Sequence, residues 1–467
     1  MSILLNVIDP DGEHIEFLTK PFASGSDAYN RYFKNCDLHD TSRTPYRVAA
    51  TNIYRCEDGR YFHLHGSMNP EPTQESVGLP HDMDLAESED PWKPYEEKLA
   101  SIESDEMQRL ASDVYKQAGT ICWTTEEFKN SEHGKANAHV GLYEIHDVKN
   151  QKQPACWWPN SSETGVKRPL AGLKVVDLTR VIAAPALTRG LAELGASVMR
   201  VTAEHVTDMS MLHVDLSWGK WNSHLDFRNE EDREKLRALV READVVVQGY
   251  RPGVLEKYGF SPEGLLDLTK DRERGLIVVR ENCYGWYGPW SYRSGWQQIS
   301  DACCGVSMEF GRAMGNDEPV TPVFPNSDFC TGTSGVIAVL NAIIRRGTEG
   351  GSYKVDVSQL HRSVALWTLT STDCLELLLP MVGKQRRHLP YRCLGRCLDT
   401  QWPPSIPPLP QHAVYVAALH EDAIRELRIR ALQTRFLRDA TRGRDRQRRK
   451  GSQAHYPIPT REGGVGI

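Results

Sequence analysis

From Leu170 onward, short apolar runs alternate with segments of helical period, and this alternation constrains the architecture more tightly than any other feature of the chain. The run 173–181, LKVVDLTRV, reads as a buried strand; a helix opened by Pro185 follows it and stops at Gly195. ASVMRVT (196–202) is the next strand. A helix over 231–244 leads into VVVQGY (245–250), 251–259 reads as a further helix, and GLIVVRENCYG (275–285) as a strand. A last helix, 333–347, precedes SYKVDVS (352–358). Strands alternating with helices of about 10–15 residues make βαβ units, so the fold class is α/β: a Rossmann-like open parallel sheet forming a large domain.

Ahead of it, ATNIYRCEDGRYFHLHGS (50–67) reads as a hairpin turning at Glu57-Asp58-Gly59. Residues 92–119 read as two amphipathic helices, the second capped by Ser101 or Ser104 and ended by Gly119. A smaller α+β domain therefore precedes the large one. The expected boundaries are 1–150 for this segment, 151–169 for a polar, tryptophan-containing linker, 170–375 for the large domain and 376–467 for a tail. Residues 381–467 carry 17 Lys+Arg against 7 Asp+Glu and include QWPPSIPPLP, so the tail reads as poorly ordered. The whole chain has a net charge of −6, which leaves the remainder acidic; with no aromatics interleaved among the arginines, no nucleic-acid partner is expected.

Eleven cysteines without a repeating spacing fit reduced thiols and a cytoplasmic location. No 18-residue apolar run predicts a membrane span, and MSILLNVIDPDGEH lacks the pattern of a secretory leader. Both common phosphate loops are missing. TRVIAAPALTRG has alanines and a proline where a dinucleotide fingerprint has glycines, and no GxxxxGK[ST] occurs. A ligand is still expected at the carboxyl ends of the strands.

Four blocks carry a resemblance. LAGLKVVDLTRVIAAPALTRGLAELGASVMRV, ADVVVQGYRPGVLEKYGF, CYGWYGPWSYRSGWQQISDACCGVS and PVTPVFPNSDFCTGTSGVIAVLNAIIRR, in that order, resemble the family III CoA-transferases (the CaiB/BaiF family). That family includes enzymes moving CoA between carboxylic acids and the related 2-methylacyl-CoA racemases. TNIYRCEDGRYFHLHGSMNP and AGTICWTTEEFKNSEHG resemble the family's smaller domain, which normally follows the Asp-containing block. Here it comes first, implying a fused or permuted form with an incomplete first copy. After about residue 375 the sequence departs from the family and reads as a truncated or altered ending.

By this resemblance Asp328, in Asn326-Ser327-Asp328-Phe329-Cys330, is the catalytic carboxylate, in a turn ahead of the 333–347 helix. It implies attack on an acyl-CoA to give an aspartyl anhydride, then an aspartyl-CoA thioester that passes CoA to a second acid. Read locally, the same residue is a helix N-cap. Backbone N–H groups of Thr331 to Gly335 are expected at the developing oxyanion. The implied CoA contacts are Val181, Ile182 and Ala183 in the first strand-to-helix turn and Arg200 ending the second strand. Gly249, Tyr250, Arg251, Lys257 and Tyr258 follow around GYRPG, and Tyr284 and Trp286 flank the thioester.

Coenzyme A enters as substrate and carrier, with no permanently bound cofactor and no metal. The expected partners are an acyl-CoA, a carboxylic acid and, as in the family's interlocked dimers, a second copy of the chain. Gly295-Trp296-Gln297 stands where the racemases have Gly-His-Asp; Trp carries no proton there, which favours transfer over the alternative of racemisation. A catalytically inactive CoA-binding relative is the other alternative. His63 and His65 alternate on one strand and read as packing, Cys303-Cys304 as buried thiols, and Cys330, Cys393 and Cys397 lack companions for a nucleophile or metal site.

Overall fold

Two sheets organise the residues that the computed structural model describes: 35–86, 88–322 and 324–360. The tail, with Cys393 and Cys397, lies outside the described residues. The smaller sheet is antiparallel, with β1 (Asn52–Arg55), β2 (Tyr61–Leu64) and β3 (Gly119–Ile121) in that order. Its hairpin turns at Gly59, whose φ of +80° suits a residue without Cβ. Two helices follow, α1 (Lys93–Leu99) and α2 (Ser104–Arg109). Neither expected serine caps the second: Glu103 is its N-cap, with no side-chain hydrogen bond, and Ser104 Oγ instead donates to Asp58 Oδ2 at 2.6 Å. Gly119 opens a strand that pairs with β2 instead of ending a helix, and a Cβ there would lie 2.8 Å from the Phe62 ring. Phe62, Leu64, Tyr95, Leu99, Met107 and Ile121 form the core of this unit.

The larger sheet has seven strands in the order β4-β10-β9-β8-β5-β6-β7. They are β4 (Glu144–Val148), β5 (Lys174–Leu178), β6 (Ser197–Thr202), β7 (Lys220–His224), β8 (Val245–Gln248), β9 (Ile277–Asn282) and β10 (Ser352–Ser358). All pair in parallel except β4, which runs antiparallel along β10. The chain winds outward from β5 through β6 to β7, then returns to β8 and proceeds through β9 to β10. The winding reverses between β5 and β8, where open α/β sheets leave a crevice at the strands' carboxyl ends.

Three local expectations change. β4 arises before the expected linker, and that linker sends Trp158 into the core, its Nε1 donating to the Ala171 carbonyl at 3.0 Å. β7 forms from the polar sequence KWNSH, which has no apolar run to announce it. Of the helix expected at 251–259, only one 3-10 turn forms (Glu256–Tyr258), closed by Gly259 at φ +83°.

One sheet face, with Ile277, Val279, Val355 and Val357, is covered by α3 (Ala183–Glu193) and the 24-residue α6 (Asn326–Glu349). The other face packs Val176, Val246 and Val278 against α4 (Glu230–Glu242) and Phe260. Between α6 and the small sheet lies α5 (Gln297–Cys303); the Trp123 N–H donates to the Ala302 carbonyl there at 3.0 Å. By length and composition α6 is apolar enough to cross a membrane, but here it is a core helix. Glycines let it approach α3: a Cβ on Gly335 would fall 2.2 Å from Leu187 Cδ1, and one on Gly332 2.9 Å from the Ala183 carbonyl. This contact sets the N-terminus of α3 against the second turn of α6.

Candidate active site

At the winding reversal the carboxyl ends of β5, β8 and β9 open into a cleft with about 330 Å³ of room. Val181, Ile182 and Ala183 form its rim after β5. Val181 holds φ +74°, a left-handed conformation that a β-branched side chain rarely adopts, at a cost of roughly 1–3 kcal/mol. After β8, Gly249 donates its N–H to the Leu178 carbonyl at 3.2 Å, and a Cβ there would sit 3.0 Å from Ala184. Tyr250 and Arg251 continue from it along the cleft wall.

Asp328 lines the same cleft but does not lie in a turn. The helix begins at Asn326, seven residues earlier than its apolar period suggested, so Asp328 sits in the first turn of α6. It is not the cap. Pro325 occupies that position without a side-chain bond, and the Asp328 carboxylate accepts from Gln359 Nε2 instead. Thr331 to Gly335 are consequently inside the helix, where N–H groups are spent on carbonyls one turn back. The unspent N–H groups belong to the first turn. Burial pushes the Asp328 carboxyl up to about 7, opposed by the Gln359 hydrogen bond and assisted by nearby Asp301. Asp301 is in turn held by Ser327 Oγ, at 2.8 Å, and by Gln297 Nε2.

A second carboxyl, Glu281 at the end of β9, lines the cleft as well. Burial and the charge of Asp328 push it up to about 8. Against these two acids stand Arg180, Arg251 and Arg293. Arg180 donates to the Thr207 carbonyl at 2.7 Å and Arg251 to the Lys116 carbonyl at 2.9 Å; Arg293 packs 5.1 Å from the Trp290 ring centre, its Nε buried without an acceptor. Among the described residues none of the three has a carboxylate partner within 4 Å, so the cleft offers uncompensated positive charge to an anionic ligand.

Of the residues singled out in the sequence, Asp328, Val181, Ile182, Ala183, Gly249, Tyr250 and Arg251 come together here. The others lie elsewhere. Arg200 is buried in an ion pair with Asp208 and a 3.0 Å contact to His213, anchoring the loop whose Val206 and Thr207 border the cleft. Lys257 is exposed, 4.9 Å from the Tyr258 ring centre, and Tyr258 packs on Phe227. Tyr284 is fully buried behind the cleft, and Trp286 lies under the Arg280 guanidinium at 3.9 Å. Trp296 lines the cleft, stacked on His65 at 5.5 Å with Nε1 donating to Ser67 Oγ. His65 and His63 are buried, their imidazoles pushed down to about 3 and about 4 by desolvation. Cys303 and Cys304 are buried thiols.

Sequence reasoning missed Glu281, Gln359, Arg180 and Arg293. For Glu281 a signal existed: in GLIVVREN it falls on the same alternation as Ile277 and Val279, an acid in an apolar row.

Residues 170–402 match the family model described as CoA-transferase family III. Acetyl-coenzyme A transferase nodX of Hypoxylon pulicicidum is 51% identical over 361 residues, covering 77% of this chain and 60% of that protein. An acyl-CoA transferase of Gibberella moniliformis is 33% identical over 344 residues, covering 72% of this chain and 59% of that protein. The chain thus spans about three fifths of the length of these curated relatives. A solved structure of a CAIB/BAIF family protein from Brucella suis is 28% identical, with a TM-score of 0.38, over 47% of this chain and 60% of that one.

Proposed function

The chain belongs to CoA-transferase family III through residues 170–402, and on that premise we propose that it moves CoA between an acyl-CoA and a carboxylic acid, with Asp328 as the covalent carrier. One observation carries the reading. The Asp328 carboxylate, held by Gln359 in the first turn of a buried helix, opens onto a cleft bordered by three arginines without acid partners. Arg180 and Arg251, beside the turns after β5 and β8, attract the phosphates of CoA. Asp328 attacks the thioester carbonyl, forming an anhydride and releasing the thiolate; the thiolate returns to the aspartyl carbonyl and frees the first acid. A second acid then takes CoA by the reverse route. Placing the nucleophile at a helix N-terminus puts the unspent first-turn N–H groups and the positive end of the dipole near the developing oxyanion. The same burial that makes Asp328 a stronger base makes it a better nucleophile once ionised.

The test is a hydroxylamine trap and mass spectrometry of enzyme incubated with acetyl-CoA. Wild type should carry an acyl or CoA adduct on Asp328. Asp328→Ala should lose the adduct and roughly 10³-fold or more in kcat while still binding CoA. An adduct that persists in Asp328→Ala moves the nucleophile elsewhere. Racemisation needs a proton carrier on each side of the α-carbon, and the Trp296 indole on the cleft wall supplies none.

A further inference from the structure

Glu281 ends the row formed by Ile277 and Val279 on the sheet face that α3 and α6 cover. On the next strand it pairs with Val357, and Gln359, just past the end of that strand, holds Asp328. An acid therefore occupies a row that is apolar below it, at the end nearest the first turn of α6. Its neighbour Arg280 belongs to the opposite face, where it is bound to Asp356. Among the described residues no hydrogen bond or ion pair holds the Glu281 carboxyl, although it borders the cleft. A half-buried carboxyl that borders the cleft with no partner to stabilise its charge, set beside a second carboxyl, is placed to exchange a proton with whatever the cleft holds.

We propose that Glu281 is a catalytic acid and base in this transfer: as Asp328 attacks, the C–O bond forms, the C–S bond breaks, and the Glu281 proton passes to the departing sulfur. In the following step Glu281 takes that proton back as the sulfur attacks the aspartyl carbonyl and the acid leaves as its carboxylate. Protons and charge balance at each stage. Charge sets the timing. While Asp328 is ionised, its negative charge helps hold the proton on Glu281. Acylation abolishes that charge, so Glu281 becomes the stronger acid at the moment a thiolate is made. A thiol has a pKa of about 8.5, so once acylation removes the charge that helps hold Glu281 at about 8, passing the proton to sulfur is downhill. The other titratable side chains on the cleft are Arg180, Arg251, Arg293, His39, His205, Tyr250 and Cys283.

The inference rests on the transfer reading, and the experiment separates the two. Wild type, E281Q and E281D are assayed for CoA exchange between acetyl-CoA and a labelled carboxylic acid from about pH 6 to about pH 9. Glutamine has nearly the shape of glutamate but no proton to give. We expect kcat of E281Q to fall roughly 100-fold, KM for acetyl-CoA to stay within about threefold, and the alkaline decline of the wild-type profile to vanish. E281D should recover part of the rate and keep a shifted alkaline limb. If wild type transfers CoA and E281Q matches it in rate and profile, the role of Glu281 is refuted while the transfer reading stands. If wild type transfers no CoA, the reading fails and takes this role with it. Should circular dichroism show E281Q unfolded, E281D decides: an alkaline limb identical to wild type overturns the proposal.

Discussion

Burial of the Asp328 carboxyl is costly to the fold. Its carboxyl titrates at about 7 when folded, against an ordinary value of 3.8. Between those two values the folded state keeps a proton that the unfolded chain has released. Its contribution to stability therefore falls as pH rises from about 4 to about 7, and the loss persists above that range. Asp328→Asn removes the charge and keeps the shape. It should raise stability at pH 8 by on the order of 2–4 kcal/mol and change it little at pH 4, read from urea unfolding at the two pH values. A gain of equal size at both would mean that packing, not ionisation, is the cause. Glu281 adds a second penalty of the same sign.

Among the elements, the crossing of α3 and α6 does most to hold the cleft together. Helices approach this closely only where side chains are absent at the contact, as at Gly335 and Gly332. Gly335→Ala would place a methyl group 2.2 Å from Leu187 Cδ1. We expect it to cost about 1–3 kcal/mol and to lower CoA transfer by moving α3 and α6 apart. Gly141→Ala, which adds its Cβ where nothing lies within 4 Å, is the control and should stay within about 0.5 kcal/mol of wild type. Equal losses in the two variants would remove the helix contact from the account.

The same elements show what a sequence discloses. Buried strands such as β5 and β8 were legible because both faces are covered and their residues read as short apolar runs. β7 was not, since an edge strand of Lys, Trp, Asn, Ser and His is fixed by pairing with β6 and not by its own pattern. The start of α6 was misplaced because Asn-Ser-Asp favours caps and turns locally, and packing against α3 overrides that preference. Asp328 was singled out through the surrounding blocks, and it lines the cleft. Gln359, 31 residues away in sequence, is visible only once β10 lies beside β9.

At the scale of the molecule, charge is segregated. The chain carries a net −6, yet the cleft concentrates arginines that no described carboxylate neutralises. Attraction of an anionic donor should therefore be local and sensitive to screening. Raising ionic strength from about 0.01 M to about 1 M shortens the screening length from about 30 Å to about 3 Å, and KM for acetyl-CoA should rise several-fold while kcat holds. Arg180→Ala with Arg251→Ala should raise KM at low salt and flatten that dependence; an unchanged salt response would show that these arginines do not meet the donor.

The cleft draws Val181, Tyr250, Glu281, Asp328 and Gln359 from five successive stretches of chain, and the last arrives only after β10 has joined the sheet. During synthesis, then, a ribosome that has exposed everything up to α6 carries the arginines and Asp328 but not the amide that anchors its carboxylate. Among the described residues, the cleft is completed by β10. On the proposed mechanism, a nascent chain would hold its carboxylate unanchored until that strand has paired.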